Sequence, residues 1–446
     1  MSSEWPTYRL EECLDALIDY RGKTPIKTSS GIPLITAKVI KNGRIEKPTE
    51  FIALENYDTW MRRGIPISGD VVLTVEAPLG EVAQLGPEKI ALAQRVVTLR
   101  GKANVLDSTY LLFMLQCEEM QEQLKSRATG TTVIGIKQSE LRKVIVKLPP
   151  YKFQIEVASM LKSIDDCITT LRETNVTLEA MAQAMFKSWF VDFDPVHAKL
   201  EGRVPEGMDE ATAALFPDSF EESELGAIPS GWKAVPFGKL LCYTIGGDWG
   251  SDAPNDKDYT RVAIIRGTDI PDLKFGTIGR VPIRYTTQKK LTGRKLEVGD
   301  IVIEVSGGTK DQPTGRALYV TAGLLRHFDC PIETASFCRL FRPTSKNIGI
   351  LLSQQLTYIY AQGKMWGYQN QSTGIANFQT THFLEAEMVL VPSDELLAKF
   401  SEAVGAMMMG AQEGPIQELA ALRDTLLPRL VSGQLRIPES PELALN

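Results

Sequence analysis

The sequence predicts an α+β protein: two globular α/β units in tandem, each followed by a long helix, with the two helices pairing as an antiparallel coiled coil. Three observations predict it. The chain repeats itself collinearly, its apolar runs are short and β-branched after Gly-Asp turns, and a heptad seam follows the first unit. The segments expected are a first unit over 1–150, a long helix over 151–191 and a connecting segment over 192–231. A second unit over 232–392, a second long helix over 393–437 and a tail over 438–446 complete the chain.

The repeat is weak at any one place and consistent along its length. Trp5 opens "WPTYRLEECL" and Trp232 opens "WKAVPFGKLL", 227 positions on. The run 32–40 (IPLITAKVI) has its counterpart in 262–270 (VAIIRGTDI), and Gly69-Asp70 before "VVLTV" recurs as Gly299-Asp300 before "IVIEV", both at an offset of 230. Pro78-Leu79-Gly80 returns at Pro313-Thr314-Gly315, Thr129-Gly130 at Thr373-Gly374, and Val146–Pro149 at Val389–Pro392, with offsets of 235 to 244. This is the mark of a tandem duplication with insertions in loops. Each unit is read as strand-dominated, with one helix near its end, about 108–126 in the first and about 346–362 in the second.

The long helices carry the pairing seam. Val157, Leu161, Ile164, Ile168, Leu171, Asn175, Leu178, Ala182, Met185 and Trp189 alternate spacings of four and three. They cover about 33 residues, or roughly 50 Å at 1.5 Å per residue. Asn175 occupies an a-type position, where a buried amide either sets register or makes a local hydrogen bond. The second helix carries Phe400, Val404, Met407 and Ala411, and its stripe resumes at Leu419, Leu422, Leu426 and Leu430. Gly414-Pro415 interrupts it, and a kink or break is expected there because proline lacks a backbone donor and clashes with the preceding turn. Antiparallel pairing would place the units at opposite ends of a rod.

Composition bounds the function. Charged residues make up 23% and hydrophobic residues 43% of 446 positions, as in a folded globular chain of roughly three domains. No bilayer-spanning run, no secretory leader and no CxxC pair among the six cysteines is evident, so a reducing cytoplasm without membrane attachment is expected. The net charge of −6 is unevenly placed: +2 over 1–150 and +5 over 232–392, against −7 over 201–231. Charge is read per domain, so DNA remains a possible partner of either unit.

Catalytic motifs are missing. Only three histidines are present, without HExxH, and no G-x-x-x-x-G-K-[ST] loop occurs. An amino-methyltransferase would need an Asp/Asn-Pro-Pro-aromatic tetrapeptide. Leu148-Pro149-Pro150-Tyr151 lacks the residue that accepts the amine proton, and its prolines end a strand and start a helix. Asp300 and Glu304 flank a strand but are not followed by the lysine of a metal nuclease, and both are read as structural. Two similar units on a rod suit a linear polymer read at two places.

Over essentially its whole length the chain resembles the specificity subunit of type I restriction-modification systems. The resemblance is carried by the tandem plan, by "TGTTVIGIKQSELRKVIVKLPP" (129–150), "AMAQAMFKSWFVDFDPVHAKLEG" (180–202), "SELGAIPSGW" (223–232) and "LLPRLVSGQLRI" (426–437). It implies a non-catalytic subunit whose two units are target recognition domains, one for each half of a split, asymmetric double-stranded DNA sequence. It also implies helices that set the unread spacer and two methyltransferase subunits docked on the scaffold, with restriction subunits joining them. S-adenosylmethionine, ATP and Mg²⁺ would sit on those partners, and no cofactor on this chain. The Gly414-Pro415 break and "THFLEAEMVLVPS" (381–393), which lacks the usual run of prolines, depart from the pattern.

Arg, Lys, Asn and Gln are the usual readers of base edges, while phosphate contacts position the protein. In the first unit the candidates are Thr36, Lys38 and Lys41, the turn Ala77-Pro78-Leu79-Gly80, and Lys125, Arg127, Thr129, Thr131 and Lys137, with Arg21, Lys23 and Lys27 for phosphate. In the second they are Arg266, Thr268, Lys310, Gln312 and Arg316, joined by the polar-aromatic run from Lys364 through Trp366, Tyr368, Gln369, Asn370 and Gln371. That run either reaches a groove or is an exposed loop with buried rings. A degenerate protein-binding scaffold that no longer reads DNA, and a metal-dependent nuclease using Asp300 and Glu304, are the alternatives.

Overall fold

An inner strand of each main sheet begins at a Gly-Asp turn. Gly69 and Gly299 have φ of 88° and 101°, the left-handed region that a Cβ disfavours. The aspartate after each is 1% and 2% exposed. Its carboxylate turns back on the chain and accepts the N–H of Ile67 at 2.9 Å in the first case and of Glu297 at 2.7 Å in the second. An arginine on the neighbouring strand supplies the other donors. Arg100 Nε and Nη2 lie 2.8 Å from the Asp70 oxygens, and Arg342 Nε and Nη2 lie 2.8 Å from those of Asp300. Forked pairing of this kind satisfies a buried carboxylate and clamps two strands in register.

A computed structural model describes residues 5–130, 133–279, 281–372 and 375–436. Contacts divide the chain into two units: Met1–Ile168 with Glu418–Asn446, and Thr169–Gln417. In the first unit the strands Leu14–Asp19, Val96–Gly101, Val71–Val75 and Leu79–Gln84 form, in that order, an antiparallel sheet. Beside it Ile32–Ile35 pairs antiparallel with Phe51–Ile52 and parallel with Ala91–Leu92. Thr7–Arg9 pairs with Ile145–Lys147 and ties the start of the globular part to its end.

The second unit repeats the plan. Leu241–Gly246, Cys338–Pro343, Ile301–Glu304 and Ala317–Tyr319 form the antiparallel sheet in the corresponding order. Thr260–Ile265 pairs antiparallel with Ile283–Thr286 and parallel with Ile332–Thr334, and Lys233–Pro236 pairs with Met388–Val391. The duplication is therefore one of strand order and pairing sense as well as of sequence. The residues expected to connect the units fall in the second one and are ordered. Phe216 packs edge-on to Trp189 at 4.9 Å and Trp232 lies 5.3 Å from Phe190.

The single helix expected over about 108–126 is two, Ser108–Gln116 and Glu118–Ser126, because Cys117 is extended (φ −66°, ψ 144°). Gln121 Nε2 donates to the Leu115 carbonyl at 2.7 Å beside the break and to Gly80 O at 2.8 Å, so the break anchors the strand hairpin. In the second unit Lys346–Ala361 is one helix.

The helix Tyr151–Phe190 starts right after the double proline and contributes to both units. Its a-type residues Leu161, Ile168, Asn175, Ala182 and Trp189 are buried, and Ile164, Leu171, Leu178 and Met185 are half-buried, as the 4-3 spacing requires. The second long helix is interrupted, as Gly414-Pro415 predicts, into Asp394–Glu413 and Ile416–Val431. Within the first unit Val157 and Leu161 share a core with Leu427 and Leu430, and Arg423 Nη1 meets Asp165 at 2.8 Å. Within the second unit Phe186 and Phe190 close on Phe400 (ring centroids 6.4 and 4.7 Å), and Asn175 meets Ala411. In both places rising numbers on one helix meet falling numbers on the other, so the pairing is antiparallel.

One part of the seam needs correction. Val404 is buried and Met407 half-buried as expected, but Leu422 is 47% exposed and Leu419 and Leu426 are only half-buried. The helix restarts after Pro415 with Ile416, Leu427 and Leu430 inward, so Leu430 is buried as the stripe expects while Leu426 yields its place to Leu427. No described helix is long and apolar enough to cross a membrane.

Candidate nucleic-acid interface

The loops that leave one end of each main sheet carry most of the polar residues singled out above. In the second unit this end lies where Ile301–Glu304 stops. Glu304, 3% exposed, accepts from Arg316 Nε at 2.9 Å and Nη2 at 2.6 Å. That hydrogen bonding pushes the guanidinium pKa up and keeps it charged. A Cβ at Gly267 or at Gly307 would come within 2.6 Å of Glu304 Oε1, so both glycines let their loops close over this pair. Thr314 donates its Oγ1 hydrogen to the Glu304 carbonyl and its N–H to Gln369 Oε1 at 2.9 Å. Ser306–Gly307 then pairs with Ile375–Phe378, which pairs with Gln369–Ser372.

Around this frame Thr268, Lys310, Gln312 and Asn370 are exposed, and Arg266 is forked onto Asp269 at 2.9 and 2.7 Å. Arg316 is corrected from a base reader to a frame residue: its guanidinium neutralises a buried carboxylate, and only 17% of the side chain is exposed. Tyr368 is corrected likewise, and Lys364, with 53% of its side chain exposed, shares its partner. Lys364 Nζ lies 2.7 Å from Glu387, Tyr368 donates its hydroxyl hydrogen to the same oxygen at 2.7 Å, and Glu387 is fully buried. The buried Glu387 carboxylate draws Tyr368 inward, so the polar-aromatic run divides. Tyr368 is inside, Trp366 is 40% exposed, and Gln369 and Asn370 belong to the loop cluster.

The first unit gathers the corresponding loops. Arg21 is forked onto Asp19 and donates to Ile136 O at 2.6 Å. The hairpin turn 76–78 is bridged to Gly135, which also pairs with Thr129. Lys23, Lys38, Lys125, Thr129 and Lys137 are exposed, while Arg127 lies 3.8 Å from Glu140. Thr36 is 9% exposed, too enclosed to reach a base edge without rearrangement. Lys27 is bonded to Glu50 and Lys41 to Glu46, on strand flanks. Thr131 lies outside the described residues, as does the side chain of Gln371.

Sequence reasoning missed one position in each unit. Arg95 and Phe337 stand at the tip between the parallel strand and the central strand of the sheet, and both are exposed. The signal was a further repeat match, Ala93-Gln94-Arg95 against Ala335-Ser336-Phe337 at an offset of 242, which shares only the alanine. Among the described residues no group of three or more His, Cys, Asp or Glu side chains is placed to hold a metal ion.

The sequence model of the family described as type I restriction modification DNA specificity domain matches residues 2–180. The MjaIX type I restriction enzyme specificity subunit of Methanocaldococcus jannaschii is 25% identical over 83% of this chain and 78% of its own length. The HindI specificity subunit of Haemophilus influenzae is 22% identical over 78% of this chain and 82% of its own. The fold is that of the crystal structure of the type I restriction-modification S subunit from M. genitalium, with a TM-score of 0.54, 16% identity and 96% of each chain covered. A domain of that family thus lies over residues 2–180, and over both units the chain is similar to type I restriction enzyme specificity subunits.

Proposed function

We propose that the protein reads a split, asymmetric double-stranded DNA target, one half with the loop end of each unit, and is not an enzyme by itself. The observation that carries this reading is that one sheet plan with a polar loop cluster is built twice and decorated differently. A common frame with divergent side chains suits two unlike half-sites on a polymer of uniform backbone, because phosphates are alike everywhere and base edges are not. Exposed Lys23, Lys38 and Lys310 supply charge for phosphate.

The same reading makes the protein the scaffold of a larger assembly in the cytoplasm. Two methyltransferase subunits carry S-adenosylmethionine, and restriction subunits carry ATP and Mg²⁺. The test is a genome-wide map of methylated adenines in the source organism, with and without this gene. A split motif that disappears on deletion is expected, and exchange of residues 1–150 for another first unit should change one half of it only. An unchanged map would overturn the reading.

A further inference from the structure

The two units hold one backbone position in the same way and fill it with opposite chemistry. In the first, Ala93 N–H donates to Ile35 O at 2.9 Å, and Val75 N–H donates to the Arg95 carbonyl at 3.0 Å. In the second, Ala335 N–H donates to Ile265 O at 2.8 Å, and Val305 N–H donates to the Phe337 carbonyl at 2.8 Å. Cys338 N–H closes the turn onto Ala335 O at 2.8 Å, as Val96 N–H does onto Ala93 O at 3.4 Å. The residue after the tip is buried, Val96 and Cys338 at 0%, and so is the residue two before it, Ala93 at 8% and Ala335 at 2%, with Gln94 half-buried and Ser336 exposed between. With the main chain held to two neighbouring strands and the turn anchored inside at Ala93 and Val96, or Ala335 and Cys338, the side chain at its tip is exposed to solvent.

The tip stands among the loops of the candidate interface. Ser306 N–H also donates to the Phe337 carbonyl, at 3.2 Å, and Ser306 pairs with Asn377. Phe337 is 64% exposed, although Cys338 after it and Ala335 two before it are core. Arg95 is 48% exposed and makes a long ion pair with Glu76 at 3.9 Å, whose own side chain is 40% exposed. A rigid tip that carries a guanidinium in one unit and a phenyl ring in the other has the form of a reading position. Arginine recognises guanine through O6 and N7, whereas a phenyl group has no hydrogen-bonding atom and recognises the C5-methyl of thymine.

We infer that Arg95 and Phe337 are equivalent specificity positions, Arg95 reading a guanine in one half-site and Phe337 a thymine methyl in the other. The inference rests on the DNA-reading function proposed above and names the base class at one position of each half.

The test uses the assembled methyltransferase complex in cells, with methylated adenines mapped for wild type, Phe337→Ala, Phe337→Leu and Arg95→Ala. Phe337→Ala should relax one thymine position in one half-site, with methylation of sites carrying another base there rising about tenfold relative to the cognate site, the order of effect of one base contact. The other half-site should be unchanged. Phe337→Leu, which keeps an apolar tip, should keep the thymine preference. Arg95→Ala should relax one guanine in the opposite half only. Motifs identical to wild type in both alanine variants would overturn the inference and leave the DNA-reading function standing. So would loss of all methylation in Phe337→Leu as well as Phe337→Ala, the result expected of a residue needed only for folding. Absence of any split motif in wild type would instead strike the proposed function.

Discussion

Replacing Asn175 by leucine is expected to destabilise the protein, opposite to the usual effect at the core position of a coiled coil. Leucine at such a position normally strengthens pairing, because a buried amide is tolerated there at a cost in stability. Here the amide has a second task. In an unbroken helix the Ala411 carbonyl would accept from the N–H of residue 415, but that residue is Pro415 and has none. Asn175 Nδ2 donates to Ala411 O at 2.8 Å and lies 3.3 Å from Phe275 O, with the side chain 3% exposed. The next carbonyl, of Gln412, is met by His327 Nε2 at 3.1 Å.

Leucine removes the donor and leaves a buried acceptor unpaired, which costs about 1–3 kcal/mol. The apolar group gained offsets about 1 kcal/mol of that, so a net loss of roughly 1–2 kcal/mol remains. The assay is urea unfolding, with amide hydrogen exchange over residues 400–420 to localise the change. Pro415→Ala restores the missing N–H, so Asn175→Leu should cost at least about 1 kcal/mol less in that background, a coupling that a double-mutant cycle measures. A leucine variant as stable as wild type, or equal costs in the two backgrounds, would refute the capping role.

Other outcomes follow from buried charge. Arg342→Met leaves the Asp300 carboxyl group without its fork in the core, and should destabilise the second unit by about 3–5 kcal/mol. Arg100→Met should do the same to the first unit through Asp70, each read as a loss of exchange protection in its own sheet. Glu333 is fully buried, and neither carboxylate oxygen has a hydrogen-bond partner among the described residues. Burial first, then the charge of Asp248, raises its pKa from 4.5 to about 7, against the opposing pull of Arg294 and Lys290. The folded state therefore holds a proton that the unfolded state releases near pH 4.5. This contribution to stability is complete below that pH and is lost as pH rises to about 7 and beyond. Glu333→Gln should flatten the pH dependence and be more stable than wild type at pH 8 by up to about 3 kcal/mol, with little difference at pH 4.5. Parallel curves of stability against pH for the wild type and the Glu333→Gln variant would contradict this.

The plan of the protein was legible in its sequence because the devices that specify it are local or periodic. Gly-Asp before a β-branched run marks a positive-φ turn into a strand, and the 4-3 seam from Val157 to Trp189 is a statement about one helical face. Gly414-Pro415 forbids a continuous ladder by covalent chemistry alone. Two collinear copies of the unit signals, at offsets of 227 to 244, were enough for two units of one design.

What only the tertiary structure decided was which side chains are left over once the core has taken its share. Arg316 and Tyr368 are polar or charged like Lys310 and Asn370, and nothing local separates them. They are separated by Glu304 and Glu387, two carboxylates that folding takes out of water and that Arg316 and Tyr368 then meet. The inward face of Ile416–Val431 was decided the same way, by the packing of Leu427 in the place of Leu426 and the reach of Arg423 to Asp165. Arg95 and Phe337 share no chemistry, and only the matching hydrogen bonds around them show that they occupy one position. Burial and pairing are properties of contacts between residues far apart in the chain, and a sequence read locally does not contain them.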